Sequence, residues 1–166
     1  MTRSVIIRPA QEADLPAIMA IYNHAVRETT AIWNWSEVDL DNRRAWMTSR
    51  AAQGYPVLAA EDGGVCCGYA SFGDWRAFDG YRHTVEHSVY VAHDRRGLGL
   101  GRQLLESLIE EARRLDKHVM LGGIEAGNLA SLALHRSLGF METARMPEVG
   151  RKFDRWLDLV FMQKML

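Results

Sequence analysis

The chain has 166 residues, 21 of them acidic and 20 basic, with a formal charge of −1 and 48% hydrophobic residues. That length suits one domain whose core needs no disulfide or metal staple. The balanced charge lacks the basic excess of a nucleic-acid binder, and no apolar run approaches the ~20 residues of a membrane span.

No apolar h-region follows the N-terminus, so the cytoplasm is the expected compartment. Residues 5–8 are a short β-branched run and predict a strand. Asp14 is placed to cap a helix with Pro16 in its first turn, and Ile18, Ile21, Tyr22, Ala25 and Val26 form its apolar stripe. A second helix starts near Asp39 or Asp41 and stops at Gly54. Residues 56–60 and 65–73 read as two strands joined by the turn Gly63-Gly64. Cys66 and Cys67 lie in the second of them. As strand neighbours they point to opposite faces, which suits two small buried hydrophobes rather than a disulfide or a zinc site.

Residues 74–82 form a loop carrying Trp75, Phe78 and Tyr81, and residues 84–91 alternate as a strand. Leu104, Leu105, Leu108, Ile109, Ala112 and Leu115 then have the spacing of an amphipathic helix. Residues 118–124 predict a strand buried on both faces. Residues 128–138 predict a helix closed by Gly139 in the C′ position, and strands over 140–146 and 156–165 finish the chain. This order predicts a single α/β domain, antiparallel early and parallel around the glycine-rich turn at 97–101.

That turn carries the first functional signal. Gly97, Gly99 and Gly101 join a strand to a helix start, with Arg95, Arg96 and Arg102 around them. Free N–H groups and the positive end of a helix dipole favour a phosphate there, and glycine lets the backbone approach it. The Rossmann fingerprint fails, because its third glycine would fall on Arg102. The P-loop fails for want of a glycine-lysine pair.

What remains, Arg96-x-x-Gly99-x-Gly101, resembles the pyrophosphate-binding signature of the GNAT N-acetyltransferase superfamily. Asn128-Leu129-Ala130-Ser131 followed by Leu138-Gly139-Phe140 is similar to a second element of that superfamily. The resemblance implies a mixed sheet of about seven strands flanked by about four helices. It also implies acetyl-CoA as co-substrate, with no metal. The cofactor would be held by Val89, Tyr90 and Val91, by Arg96, Gly97, Leu98, Gly99, Leu100, Gly101 and Arg102, and by Asn128 and Ser137. Asn128 also suits a plain N-cap, and Ser137 suits a solvated serine.

Over nearly the whole chain the sequence resembles the phosphinothricin and methionine-sulfoximine acetyltransferase group. The residues that carry this are Ile21 to Val26, Gly54-Tyr55-Pro56-Val57-Leu58, Gly68-Tyr69-Ala70-Ser71, Thr84 to Val91 and Val149 to Asp158. Gly73-Asp74-Trp75-Arg76 and Ala31-Ile32-Trp33-Asn34 bring it nearest the methionine-sulfoximine branch. The implied activity is acetylation of the α-amino group of a small amino acid (methionine sulfoximine, methionine sulfone, phosphinothricin) by direct transfer in a cytoplasmic homodimer. Cys66-Cys67, Gly122-Gly123 and Asp154 depart from the pattern, and Asp154 stands in a loop where a smaller residue is more common, so that it alters an edge of the site or nothing.

The attacking amine must lose a proton, so the site needs a base. Glu86 is expected to be that base, and His87 ranks second because a regular strand turns it to the opposite face. Arg76 suits a carboxylate clamp. Trp75 and Phe78 suit the walls of a pocket for a sulfur-bearing side chain. The resemblance adds Ala77, His87 and Ser88 to the substrate site. It extends the pocket to Trp33, Trp35, Lys152 and Arg155, and it puts His135 where relatives carry an acidic tyrosine.

Other readings stay open: acetylation of a protein N-terminus or an aminoglycoside, and an inactive acetyl-CoA-binding module. A further one is a zinc hydrolase, because His83-Thr84-Val85-Glu86-His87 matches H-x-x-E-H. On a strand, however, residues four apart are ~13 Å from each other. Zinc ligands must approach to ~2 Å.

Overall fold

The computed structural model describes residues 5–166. Its elements in chain order are β1 (Val5–Pro9), α1 (Leu15–Glu28), α2 (Leu40–Ala52), β2 (Val57–Asp62), β3 (Val65–Asp74), β4 (Thr84–Val91), α3 (Leu100–Arg114), β5 (Val119–Glu125), α4 (Leu129–Ser137), β6 (Met141–Lys152) and β7 (Arg155–Met165). The strands form one seven-stranded sheet in the order β1-β2-β3-β4-β5-β7-β6. Among the described residues only the β4–β5 pair is parallel, and the other neighbouring pairs are antiparallel.

Helices cover the sheet on both faces. The stripe Leu100, Leu104, Leu105, Leu108, Ile109 and Ala112 of α3 is buried against Leu58, Ala60, Cys67, Ala70, Phe72 and Val85. Each fully buried leucine contributes roughly 1.5–3 kcal/mol. On the other face Leu15, Ile18 and Ile21 of α1 pack on Ala59, Cys66 and Tyr69. Cys66 and Cys67 therefore feed different cores, both as buried free thiols. Gly63 and Gly64 turn β2 into β3 with φ of 62° and 84°, the two positive values that a tight hairpin turn requires.

Three local expectations change. Asp14 does not cap α1. It accepts the Gln11 N–H at 2.7 Å and the Arg8 guanidinium at 2.7 and 2.9 Å, which hold its carboxyl below the usual range. β6 runs six residues beyond the predicted end at 146, with register shifts that carry it past Pro147. Asp154 lies at the tip of the β6–β7 hairpin, where Phe153 and Asp154 take φ of 51° and 57°. Asp tolerates that left-handed turn, so its place in the chain has a backbone reason.

Candidate active site

The single parallel pairing is short. β4 and β5 share only Thr84↔Val119, Val85↔Met120 and Glu86↔Leu121, after which the strands part. On its other side β4 stays paired with β3 as far as Val91, and β5 stays paired with β7 as far as Glu125. A fork results. Its arms turn the backbone edges of residues 87–91 and of residues 122–125 toward each other, with no strand between them among the described residues. Such groups call for hydrogen-bonding partners, and an extended chain carrying amides suits them.

The glycine turn stands at the end of the first arm. Residues His93–Arg95 make one 3-10 turn, Gly97 and Gly99 take φ of 78° and 77°, and α3 begins at Leu100. The first bond of the helix runs from Gln103 N–H to the Gly99 carbonyl, so the preceding N–H groups are free of the ladder. Nothing lies within 4 Å of a Cβ built at Gly97 or Gly99, so the backbone angle, not crowding, demands glycine there. Arg96 and Leu98 are exposed, whereas Arg95 is engaged with Asp62 at 2.6 Å. Arg102 reaches Glu106 at 2.9 Å and donates to the Ser137 hydroxyl at 3.1 Å, which joins α3 to the end of α4. Asn128 Oδ1 accepts the Ser131 N–H at 3.2 Å and caps α4. This donor set fits the pyrophosphate and amide arm of a coenzyme A thioester.

Glu86 sits at the crotch of the fork. Its Cα partner across β3 is Gly73, and Ser88 faces Ser71. Its Oε1 lies 3.2 Å from where a Cβ at Gly123 would be. Phe161 and Leu159 of β7 border the same glycine, and Trp75 meets Phe161 edge-on with ring centroids 5.1 Å apart. Burial alone pushes the Glu86 carboxyl above its usual range. A carboxylate raised in this way is a stronger base than an ordinary glutamate. At the rim the Arg76 guanidinium stands over the Trp75 ring at 5.2 Å, and Ala77 and Phe78 are exposed beside it.

His87 is where strand alternation puts it. The β3–β4 register is continuous, without a bulge, so its imidazole points to the α3–α4 face. It stacks on His135 with centroids 5.0 Å apart and meets Phe140 edge-on. The two Nε2 atoms are 3.0 Å apart, and His135 Nδ1 lies 2.7 Å from the Ser131 carbonyl. A carbonyl only accepts, so His135 carries its proton on Nδ1 and His87 donates from Nε2. Burial and the neighbouring His135 bring His87 down to about 3, and burial lowers His135 as well. The pair is neutral at pH 7. His87 therefore has no imidazole on the Glu86 face, and His135 has no free N–H to offer a leaving thiolate.

The wider pocket is corrected too. Lys152 is 3% exposed and donates to the carbonyls of Ala25, Thr29 and Ile32. It tethers the end of α1 instead of lining a pocket. The Trp33 indole lies over Gly150, where a Cβ would sit 2.2 Å from its ring. Trp35 is exposed and donates to the Arg151 carbonyl, and Arg155 is exposed at the start of β7. The inverted zinc motif also separates. His83 precedes the strand, Glu86 and His87 take opposite faces, and no cluster of three metal ligands occurs among the described residues.

Sequence reasoning missed Phe161, and it saw Gly122-Gly123 only as a departure. A Cβ at Gly122 would stand 2.6 Å from His87 Nε2, and one at Gly123 would crowd Glu86. Tandem glycine in a buried strand is the signal that pointed to close approach on both faces.

A split sheet with a phosphate-binding turn at one end of the fork and a desolvated carboxylate at its crotch defines an acyl-CoA-dependent acyltransferase. The chain belongs to the GNAT acetyltransferase family, whose pattern matches residues 18–140. It is 64% identical to the L-amino acid N-acyltransferase of Escherichia coli, over 96% of this chain and 93% of that one. It is 63% identical to an L-methionine sulfoximine/L-methionine sulfone acetyltransferase of Salmonella typhimurium, over 96% and 94%. A Salmonella typhimurium acetyltransferase solved with acetyl-CoA superposes with a TM-score of 0.97 at 62% identity, over 98% of this chain and 94% of that one.

Proposed function

We propose that the chain acetylates the α-amino group of a small amino acid of the methionine sulfoximine or methionine sulfone type, with Glu86 as the base. The observation that carries this reading is the desolvated Glu86 carboxyl at the point where β4 and β5 part, beside Gly123, which Phe161 also borders. The names of the two curated relatives support the substrate class.

Acetyl-CoA supplies an activated acetyl thioester when bound. Arg96, Arg102 and the N–H groups of Gly97 to Gly101 hold its pyrophosphate, with Leu98 and Leu100 flanking them. The backbone of Val89, Tyr90 and Val91 lines its arm, and Asn128 and Ser137 close the far side. Glu86 Oε1 takes the proton from the substrate ammonium and leaves a nucleophilic amine; as its nitrogen bonds to the acetyl carbon the C–S bond breaks, and the thiolate departs with the amine's second proton. Backbone N–H groups of the first arm are placed to stabilise the oxyanion that develops. Arg76 holds the substrate carboxylate, while Trp75, Ala77, Phe78 and the Ser88 side of β4 shape its surroundings.

We also propose a homodimer in the cytoplasm. β6 is a long sheet edge with exposed Met141, Met146 and Val149, followed by exposed Phe153 and Trp156. Such an apolar edge needs covering, and sedimentation equilibrium at twice the monomer mass is the expected result.

The decisive experiment is a thiol-release assay with acetyl-CoA against methionine sulfoximine, methionine sulfone, phosphinothricin, the common amino acids, an aminoglycoside and an N-terminal peptide. Turnover is expected with the sulfoximine and the sulfone. Turnover confined to the peptide or the aminoglycoside would sink this reading.

A further inference from the structure

α2 turns an unusual stripe toward the sheet. Arg43, Trp46, Met47 and Arg50 follow the i, i+3, i+4, i+7 spacing, so a cation stands at each end of an inward face. Arg43 is answered inside the protein. Its guanidinium lies 4.3 Å from the Tyr22 ring centre and 5.1 Å from that of Trp46, and it donates to the Asn42 side chain at 2.7 and 3.1 Å.

Arg50 is not answered in this way. Among the described residues it makes one side-chain hydrogen bond, from Nη1 to Gln53 Oε1 at 3.2 Å, and its buried Nε has no partner. Asp74 acts on it only at longer range, and the Asp74 carboxylate accepts the Tyr55 hydroxyl. A half-desolvated guanidinium with an unused donor is an anion site in waiting.

Its position says which anion. A Cβ built on Gly73 would fall 2.4–2.8 Å from the Arg50 guanidinium atoms, so the group lies flat on the backbone at that glycine. Gly73 is the Cα partner of Glu86, and paired residues share a face of the sheet. Arg50 therefore stands on the Glu86 face, one strand to the side. The Glu86 carboxyl leans the other way, toward Gly123 of β5. Leu121, the β5 partner of Glu86, is two strand spacings from Gly73, roughly 10 Å, and Gly123 lies two residues further along β5. An amino acid bonded through its ammonium to a carboxylate and through its carboxylate to a guanidinium spans about 8–9 Å, with two hydrogen bonds of about 2.9 Å each.

We propose that Arg50 is the inner half of a two-arginine clamp on the substrate α-carboxylate, with Arg76 at the rim, and that it sets the preference for free amino acids over amines lacking that carboxylate. The inference rests on the amino-acid reading above. Arg50 is a specificity-determining residue in this scheme, since it touches substrate but no proton in transfer. Gly73 keeps its place because any side chain there would displace the guanidinium.

The test compares L-methionine sulfone with its carboxamide, using wild type, Arg50→Met and Arg50→Lys. Arg50→Met is expected to raise KM for the acid by roughly 10- to 100-fold, the value of a hydrogen bond to a charged group. KM for acetyl-CoA should stay within about twofold, and kcat/KM for the carboxamide should fall far less than that for the acid, so the preference for the acid collapses. Arg50→Lys keeps the charge without the fork, and should show a smaller rise with the preference partly retained. Equal losses on acid and carboxamide, or an unchanged KM for the acid, overturn the proposal. If Arg50→Met loses acetyl-CoA binding through misfolding, Arg50→Lys decides by the same two criteria. A wild type that acetylates no amino acid overturns the amino-acid reading and this inference together; an active wild type with unaffected Arg50 variants overturns this inference alone.

Discussion

Glu86 and His87 are neighbours on β4, and both are withdrawn from water, yet burial puts them to opposite uses. Glu86 faces a space bordered by Gly73, Gly123 and Phe161, and its carboxyl is raised by burial with no charge to answer it. His87 faces α4, and its Nε2 proton is committed to His135, which is committed in turn to Ser131. A buried titratable group that has its partner supplies structure. One without a partner is available for chemistry. β5 repeats the division one strand away, with Gly122 under the histidines and Gly123 beside the carboxylate.

The largest expected effect breaks the Glu86 side. Glu86→Gln should lower kcat by roughly 10²- to 10⁴-fold, the usual value of a positioned base. Acetyl-CoA affinity, measured by calorimetry, should be unchanged; a parallel loss of both would make Glu86 structural. Gly122→Ala attacks the other face. Its Cβ meets a packed imidazole at 2.6 Å, and overpacking of this kind costs about 1–3 kcal/mol. Thermal denaturation should report it. Gly123→Ala meets the Glu86 carboxylate at 3.2 Å, and should lower turnover with a smaller change in melting temperature. If the two glycine variants behave alike, the division between the faces is wrong.

Acid sharpens the same comparison. His87 falls from 6.5 to about 3 on folding, so the unfolded chain binds the extra proton between those values. The stability that neutral His87 contributes is complete above pH 6.5. It is lost as pH falls, by up to about 1.4 kcal/mol per unit. Melting temperature followed from pH 7 to pH 4 should show this decline, and His87→Asn should flatten it. Glu86 has the opposite sign, since its raised folded value favours the protonated form. The acid limb of kcat/KM should therefore titrate above an ordinary glutamate, and a limb at the ordinary value would remove burial as the tuning device. Arg76→Ala is the smallest effect: a rise of roughly tenfold in KM for the amino acid, from loss of one charge-assisted contact. An unchanged KM would take Arg76 out of the clamp.

Much of this was written in local sequence. The turn from Arg96 to Gly101 was legible because positive φ and free helix N–H groups are properties of a few consecutive residues. The separation of Glu86 from His87 followed from strand alternation alone, and so did the failure of the apparent zinc motif. The hairpin at Gly63-Gly64 and the stripe of α3 were legible for the same reason. Lys152 and Asp14 misled, because what each one bonds to is decided by other segments. The amine Nζ of Lys152 meets carbonyls more than a hundred residues away, and the Asp14 carboxylate is claimed by Arg8 of β1.

The sequence by itself predicted the fold class from the order of its elements and the cofactor turn from the spacing of a few residues, and it offered Glu86 as the candidate base through its place in the strand and the family resemblance. Tertiary structure alone decided where β4 and β5 part, because pairing depends on two strands at once. It alone joined Phe161 to Glu86, paired the two histidines beneath Gly122, and laid Arg50 across Gly73 from a helix more than twenty residues earlier. These are contacts between faces, and a face is set by packing, which no single segment carries.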